Sequence, residues 1–158
     1  MLKVISGPHR SRMPHHPFLS NSKEKDMLLQ VHHVGYLVPD LDAAVALYVN
    51  TFGAKQSGRG AAGRLGEIAF IQAGNVEVEL IQPNDRALLT NGDDHVYHHV
   101  GYVVENLDKA VAEFKAKGYE FNSEEPVTNF MGYRLIYFNA KFTAGLGMHM
   151  TEASSLKS

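Results

Sequence analysis

Residues 32–48 read HHVGYLVPDLDAAVALY, and residues 98–114 read HHVGYVVENLDKAVAEF, 66 positions further on. Eleven of the seventeen positions are identical: His32, His33, Val34, Gly35, Tyr36, Val38, Leu41, Asp42, Ala44, Val45 and Ala46 each recur. Unrelated segments do not agree to that extent. The chain is therefore two copies of one unit of about 60 residues, and the unit decides the fold.

Each copy opens as a strand, with Val34, Tyr36 and Val38 on one face and His33, Gly35 and Leu37 on the other. A helix follows. Asp40 and Asn106 are N-cap residues, and Gly53 and Gly118 are residues that close a helix. Ala44, Leu47, Tyr48 and Phe52 form an apolar stripe at helical spacing, as Ala110, Val111 and Phe114 do in the second copy. Beyond the first helix, 67–72 and 76–81 flank Ala73-Gly74-Asn75, which reads as a hairpin; 134–138 and 147–151 are the matching strands of the second copy. The expectation is an α+β fold of two tandem β-α-β-β-β modules. The strand next to each helix is weakly signalled. The helices cover one sheet face, and the other is left concave and suited to a ligand.

The bounds are 1–26 for an arm, 27–153 for a single domain (module one 28–83, module two 96–153) and 154–158 for a tail. The arm carries Pro8, Pro14 and Pro17, and its first acid is Glu24. It reads as an extension, with an organelle transit segment as the alternative to a cytoplasmic protein. In the 158 residues the formal net charge is −2, which does not favour a nucleic-acid surface. No apolar run approaches the length of a membrane helix. Cysteine is absent, which excludes thiolate nucleophiles, disulfides and Cys-based metal sites; nine histidines are where metal chemistry is to be sought.

Strand parity turns His33 and His99 into the concavity. On the strand Val76-Glu77-Val78-Glu79-Leu80 it does the same for Glu77 and Glu79, and on Met148-His149-Met150 for His149. The repeat thus matches His33 with His99 and Glu79 with His149. Three imidazoles and a carboxylate suit one borderline divalent ion: Zn, Ni, Co, Mn or Fe. By the same parity His32 and His98 face the helices and read as structural. His95 shares a face with His99.

These stretches, with GNVEVELIQP and GLGMHMTE, resemble the vicinal oxygen chelate superfamily, which groups glyoxalases, bleomycin-resistance proteins and extradiol dioxygenases. The resemblance covers about residues 28–153 and is strongest to methylmalonyl-CoA epimerase-like and glyoxalase-like proteins. It implies a half-barrel around one metal ion, with His33, Glu79, His99 and His149 at the metal positions, and a homodimer. Two departures stand out. His149 replaces the glutamate that many relatives carry on the last strand, which in the epimerase also moves a proton. The epimerase's other acid falls near Gly63, with Glu67 the nearest carboxylate.

The function expected is metal-dependent isomerase or lyase chemistry on a small carbonyl or acyl-CoA compound. The ion stabilises an enolate, and a base takes the neighbouring proton. Glu79, His149 and Glu67 are the candidate acid–base groups, ahead of Glu77 and Tyr133. Arg64, Tyr133 and Phe130 are candidates for holding the substrate, the two aromatics forming either a wall or a plug. The alternatives are a sequestration protein of the bleomycin-resistance type and an Fe(II) dioxygenase.

Overall fold

A computed structural model of the chain describes residues 26–90, 92 and 94–156. The expected arm falls almost wholly outside the described residues. Eight strands form one sheet: β1 (Gln30–Leu37), β2 (Lys55–Ala61), β3 (Gly66–Ala73), β4 (Val76–Pro83), β5 (Val96–Val104), β6 (Val127–Thr128), β7 (Arg134–Tyr137) and β8 (Met148–Glu152). Helix α1 (Leu41–Ala46) follows β1, and α2 (Leu107–Ala116) follows β5.

The strand order is β2-β3-β4-β1-β5-β8-β7-β6. Read outward from the β1–β5 seam, both halves give the same sequence of strands: first, fourth, third, second. β1 and β5 run antiparallel, whereas β1–β4 and β5–β8 are parallel. The sheet curls into the α+β half-barrel that the resemblance implies for the repeated modules. The weakly signalled strands are β2 and the two-residue β6, and each lies at a sheet edge.

Each helix starts where its cap residue directs. Asp40 Oδ1 accepts from the Ala43 N–H at 2.9 Å, and Asn106 Oδ1 from the Lys109 N–H at 2.8 Å. Gly53 and Gly118 take positive φ after the helices. The first apolar stripe needs correction. Past Ala46 the helix widens into a π-turn over Leu47–Thr51. A π-turn shifts the side chains that follow it around the axis. Val45 and Tyr48 pack with Val38, Leu41, Ala44, Ala69, Ile71 and Leu80, while Leu47 and Phe52 turn out to solvent. In the second half Ala110 and Val111 bury against Ile136, Phe138 and Met150, with Phe114 at the margin.

The two helices are tied down in the same way. Arg59 on β2 bonds Asp42 in the first turn of α1, and Arg134 on β7 bonds Asp108 in the first turn of α2. The stretch after β8 is docked as well: Ser155 Oγ accepts from the Arg134 N–H at 3.0 Å.

Candidate metal centre

The histidines of the repeat meet across the seam. In the β1–β5 ladder His33 is paired with Gly101, and Gly35 with His99. Each imidazole thus crosses over the other strand's glycine. A Cβ on Gly101 would lie 2.6 Å from His149 Nε2 and 2.8 Å from the His33 ring, and one on Gly35 would collide with the His99 ring. The glycine of HHVGY is therefore space reserved for the partner's imidazole. The parallel ladders complete the set, placing Glu79 beside Gly35 and His149 beside Gly101.

Three Nε2 atoms converge: His33 lies 2.9 Å from His99 and 3.0 Å from His149. Glu79 Oε2 lies 2.9 Å from His99 Nε2 and 3.4 Å from His33 Nε2, yet it has no hydrogen bond of acceptable geometry. All four residues are buried, at 6% exposure or less. Three imidazole nitrogens turned on one another beside an orphaned carboxylate oxygen leave buried polar atoms unsatisfied. The three imidazoles form a set that fits one divalent cation, and the Glu79 oxygen beside His99 and His33 would give it a fourth donor. His33, His99, His149 and Glu79 are the residues that would hold it.

The electrostatics keep the donors in the form a cation needs. Burial, then the neighbouring His33 and His99, push His149 well below the ordinary histidine value, so its ring is neutral at pH 7. Burial works against the charge on Glu79, but the His33 and His99 rings beside it outweigh that and hold its carboxyl below the usual carboxylate range.

Behind the ring stands an outer layer that strand parity misplaces. His33 Nδ1 is 2.7 Å from His32 Nδ1, and His99 Nδ1 is 2.8 Å from His98 Nδ1. His149 Nδ1 is 3.1 Å from Thr151 Oγ1. His32 and His98 therefore touch the centre instead of facing the helices. The cause is a pair of β-bulges. The β1–β5 register shifts between Val31 and His33 and again between Gly35 and Tyr36, which makes His32 and His98 the extra residues. A bulge breaks the strict alternation on which the parity argument depends. The doubled histidine is its sequence signal. His95 is exposed ahead of β5.

Two cavities flank the centre. One of about 350 Å³ is lined by Leu65, His98, His99, Asn122, Tyr137 and Gly147. Tyr137 packs on the His99 and His149 rings, and burial, then Glu79, push its phenol up, so it stays protonated. It is a site residue that the sequence reading missed, one strand over from His149. The second cavity, of about 300 Å³, is lined by Gln30, His32, Gln72, Asn75, Glu77 and Tyr133.

Among the other expected residues, Glu67 is displaced from the site. It alternates with Phe70, which touches His33, and shares its sheet face with Ala69 and Ile71 under α1. There it binds Arg59 at 2.7 Å. Tyr133 is buried against His32 and Phe70, and Phe130 rests on Phe70 and fills the space above Gly60. With Met131 over Gly58 they plug the module-one end of the concavity. Arg64 is exposed in the β2–β3 turn, next to Leu65. Arg59, Arg86 and Arg134 are engaged with Asp42 and Glu67, the Pro39 carbonyl, and Asp108.

Comparison with known proteins supplies the family. The model for the Glyoxalase/Bleomycin resistance protein/Dioxygenase superfamily matches residues 32–138. The chain belongs to that superfamily. Human mitochondrial methylmalonyl-CoA epimerase is 29% identical over 130 residues, covering 78% of this chain and 74% of that protein. Among solved structures, methylmalonyl-CoA epimerase from Mycobacterium tuberculosis superposes with a TM-score of 0.74 at 18% identity, covering 84% of this chain and 93% of the other. A Streptomyces coelicolor methylmalonyl-CoA epimerase variant in complex with 2-nitronate-propionyl-CoA gives 0.72 at 23%, covering 83% and 99%. Epimerases are isomerases, and the kinship supports reading this chain as an isomerase. Among the described residues no helix is long and apolar enough to cross a membrane.

Proposed function

We propose that the chain is a divalent-metal-dependent isomerase that inverts the carbon next to the thioester of an acyl-CoA. The observation that carries this reading is the convergence of His33, His99 and His149 with the orphaned Glu79 Oε2, at the edge of the cavity lined by His99 and Tyr137. A metal ion there supplies Lewis acidity toward a carbonyl oxygen.

The chain's own residues supply the rest. β4 and β7 lie on opposite flanks of the β1–β5 seam, so Glu79 and Tyr137 approach a substrate from two sides. Inversion at carbon needs a proton taken from one face and returned on the other. The ionised Glu79, released from the ion, takes it on one face, and the protonated Tyr137, packed on the His149 ring, returns one on the other. The neutral His149 stays a ligand, its other nitrogen held by Thr151. His149 thus stands in for the carboxylate that relatives carry there. Arg64, beside Leu65 at the mouth, holds an anionic part of the acyl-CoA. The burial of the centre excludes water from the carbanion.

In D2O the metal-loaded protein is expected to exchange the α-proton of a 2-substituted malonyl-CoA, followed by proton NMR. Metal bound with no exchange on any acyl-CoA would leave a protein that holds its ligand without transforming it. The mitochondrial location of the human relative favours a transit segment in residues 1–26 over a cytoplasmic protein. A fusion of that segment to a fluorescent reporter decides between them. The homodimer implied by the resemblance is tested by light scattering.

A further inference from the structure

The two first-strand histidines are backed differently. A His33 that offers Nε2 to a cation carries its proton on Nδ1, and that N–H needs an acceptor. The atom facing it is His32 Nδ1, at 2.7 Å. Accepting there leaves the proton of His32 on Nε2, which faces Glu77 Oε2 at 3.7 Å. Glu77 is 7% exposed, and its Oε1 accepts from the Ser57 hydroxyl at 2.6 Å. Its Oε2 is buried without a hydrogen-bond partner. A buried carboxylate oxygen without a donor is costly, and the tautomer sequence delivers one donor to it, the His32 Nε2–H. The gap is longer than a hydrogen bond, and a turn of either side chain by less than about 1 Å closes it.

Behind His99 the arrangement stops one residue earlier. His98 Nδ1 faces His99 Nδ1 at 2.8 Å, but Gly147, the residue just before β8, stands where β4 carries Glu77. A Cβ at Gly147 would run into the His98 carbonyl, so no longer side chain fits there. His98 borders the cavity on that side, as His32 borders the other.

We propose that Ser57, Glu77 and His32 form a positioning chain that fixes the Nδ1–H tautomer of His33 and tightens the module-one half of the metal centre. The chain rests on the metal reading above and adds residues to it. Glu77 touches neither the ion nor the substrate; it acts through His32.

The test is a competition titration of Zn2+ against a chromogenic chelator on the full chain, with wild type, Glu77→Ala, Glu77→Gln, Ser57→Ala and His33→Ala. Outer partners of metal-ligating histidines are worth about 10- to 100-fold in affinity. Glu77→Ala is expected to lose that much, Ser57→Ala less, and Glu77→Gln, which keeps an acceptor oxygen, to recover part of it. Nitrogen-15 NMR of the imidazoles supplies a readout that a merely structural residue would not move. His33 is expected as the pure Nδ1–H form in wild type and as a tautomer mixture in both Glu77 variants. If the alanine variant fails to fold, the nearly isosteric Glu77→Gln carries the test. Wild-type affinity and an unmixed His33 tautomer in Glu77→Gln, with binding lost in His33→Ala, would overturn the positioning chain and leave the metal centre standing. Zn2+ affinity unchanged in His33→Ala would overturn both.

Discussion

The two halves of the molecule share a frame and differ in what they place on it. Both open with HHVGY, both bulge at the first histidine, and both use the glycine to admit the other half's imidazole. Both cap the helix with a side-chain oxygen and tie its first turn to the sheet with an arginine. They part company on the fourth strand. Module one presents Glu77 and Glu79 to the concavity, and module two presents Gly147 and His149. The duplicated residues build the seam and supply two equivalent imidazoles. The unduplicated ones decide charge and acid–base character. The module-one side keeps a cavity bordered by His32, Glu77 and Tyr133, and the other keeps one that reaches His99 and Tyr137.

The sharpest way to break this comparison is at the fourth strands. His149→Ala removes a donor and is expected to weaken metal binding by at least about 100-fold, measured by competition titration. His149→Glu gives module two a carboxylate like that of module one. It is expected to keep the ion within about tenfold, since a carboxylate is also a ligand.

Next come the glycines. Gly35→Ala and Gly101→Ala each put a methyl group into an imidazole. Each is expected to cost about 1–3 kcal/mol of stability from overpacking and to lower metal content as the rings are pushed off the centre. Equal effects in denaturant unfolding and bound-metal assays would show that the seam is symmetrical. An effect at one glycine alone would show that one half dominates.

The pH profile follows from the buried rings. Burial first, then the adjacent His33, hold His32 down at about 4, and burial lowers His98 and His149 too. These rings bind protons more readily unfolded, where histidine titrates near 6.5. The metal-free protein is thus expected to be most stable above about pH 6.5 and to lose stability as pH falls toward 4. Glu79, held low when folded, adds to the loss below about pH 4.5. Thermal melts of metal-free protein across this range check the sign, and a Tm that rises on acidification would contradict it.

The smallest effects should be the most alike in the two halves. Asp40→Ala and Asn106→Ala each delete one capping bond and are expected to cost about 1 kcal/mol apiece, read from chemical denaturation.

Much of this was legible in the sequence because the repeat made it so. One HHVGY is a weak signal; two, 66 residues apart, fixed the strands, the helices and the matched places of His33 and His99. Parity then placed Glu79 and His149. The reading failed where local geometry departs from strict periods. The bulges rotated His32 and His98 onto the centre, and the π-turn moved Leu47 and Phe52 into solvent. Glu67 drew notice as the nearest acid in number, but its place on β3 turns it toward α1 and Arg59. Tyr137 and Ser57 gave no warning, because one tyrosine or serine in a strand has no spacing to mark it.

The measurement that tests the central claim most directly is the divalent metal content of the untagged protein, trimmed of the histidines of its N-terminal arm and purified without chelator. Mass spectrometry of the wild type would run beside His33→Ala and His99→Ala. The account predicts about one ion per chain, lost in both variants. A wild-type protein that takes up no divalent ion after reconstitution, or variants that hold it as well as wild type, would contradict it.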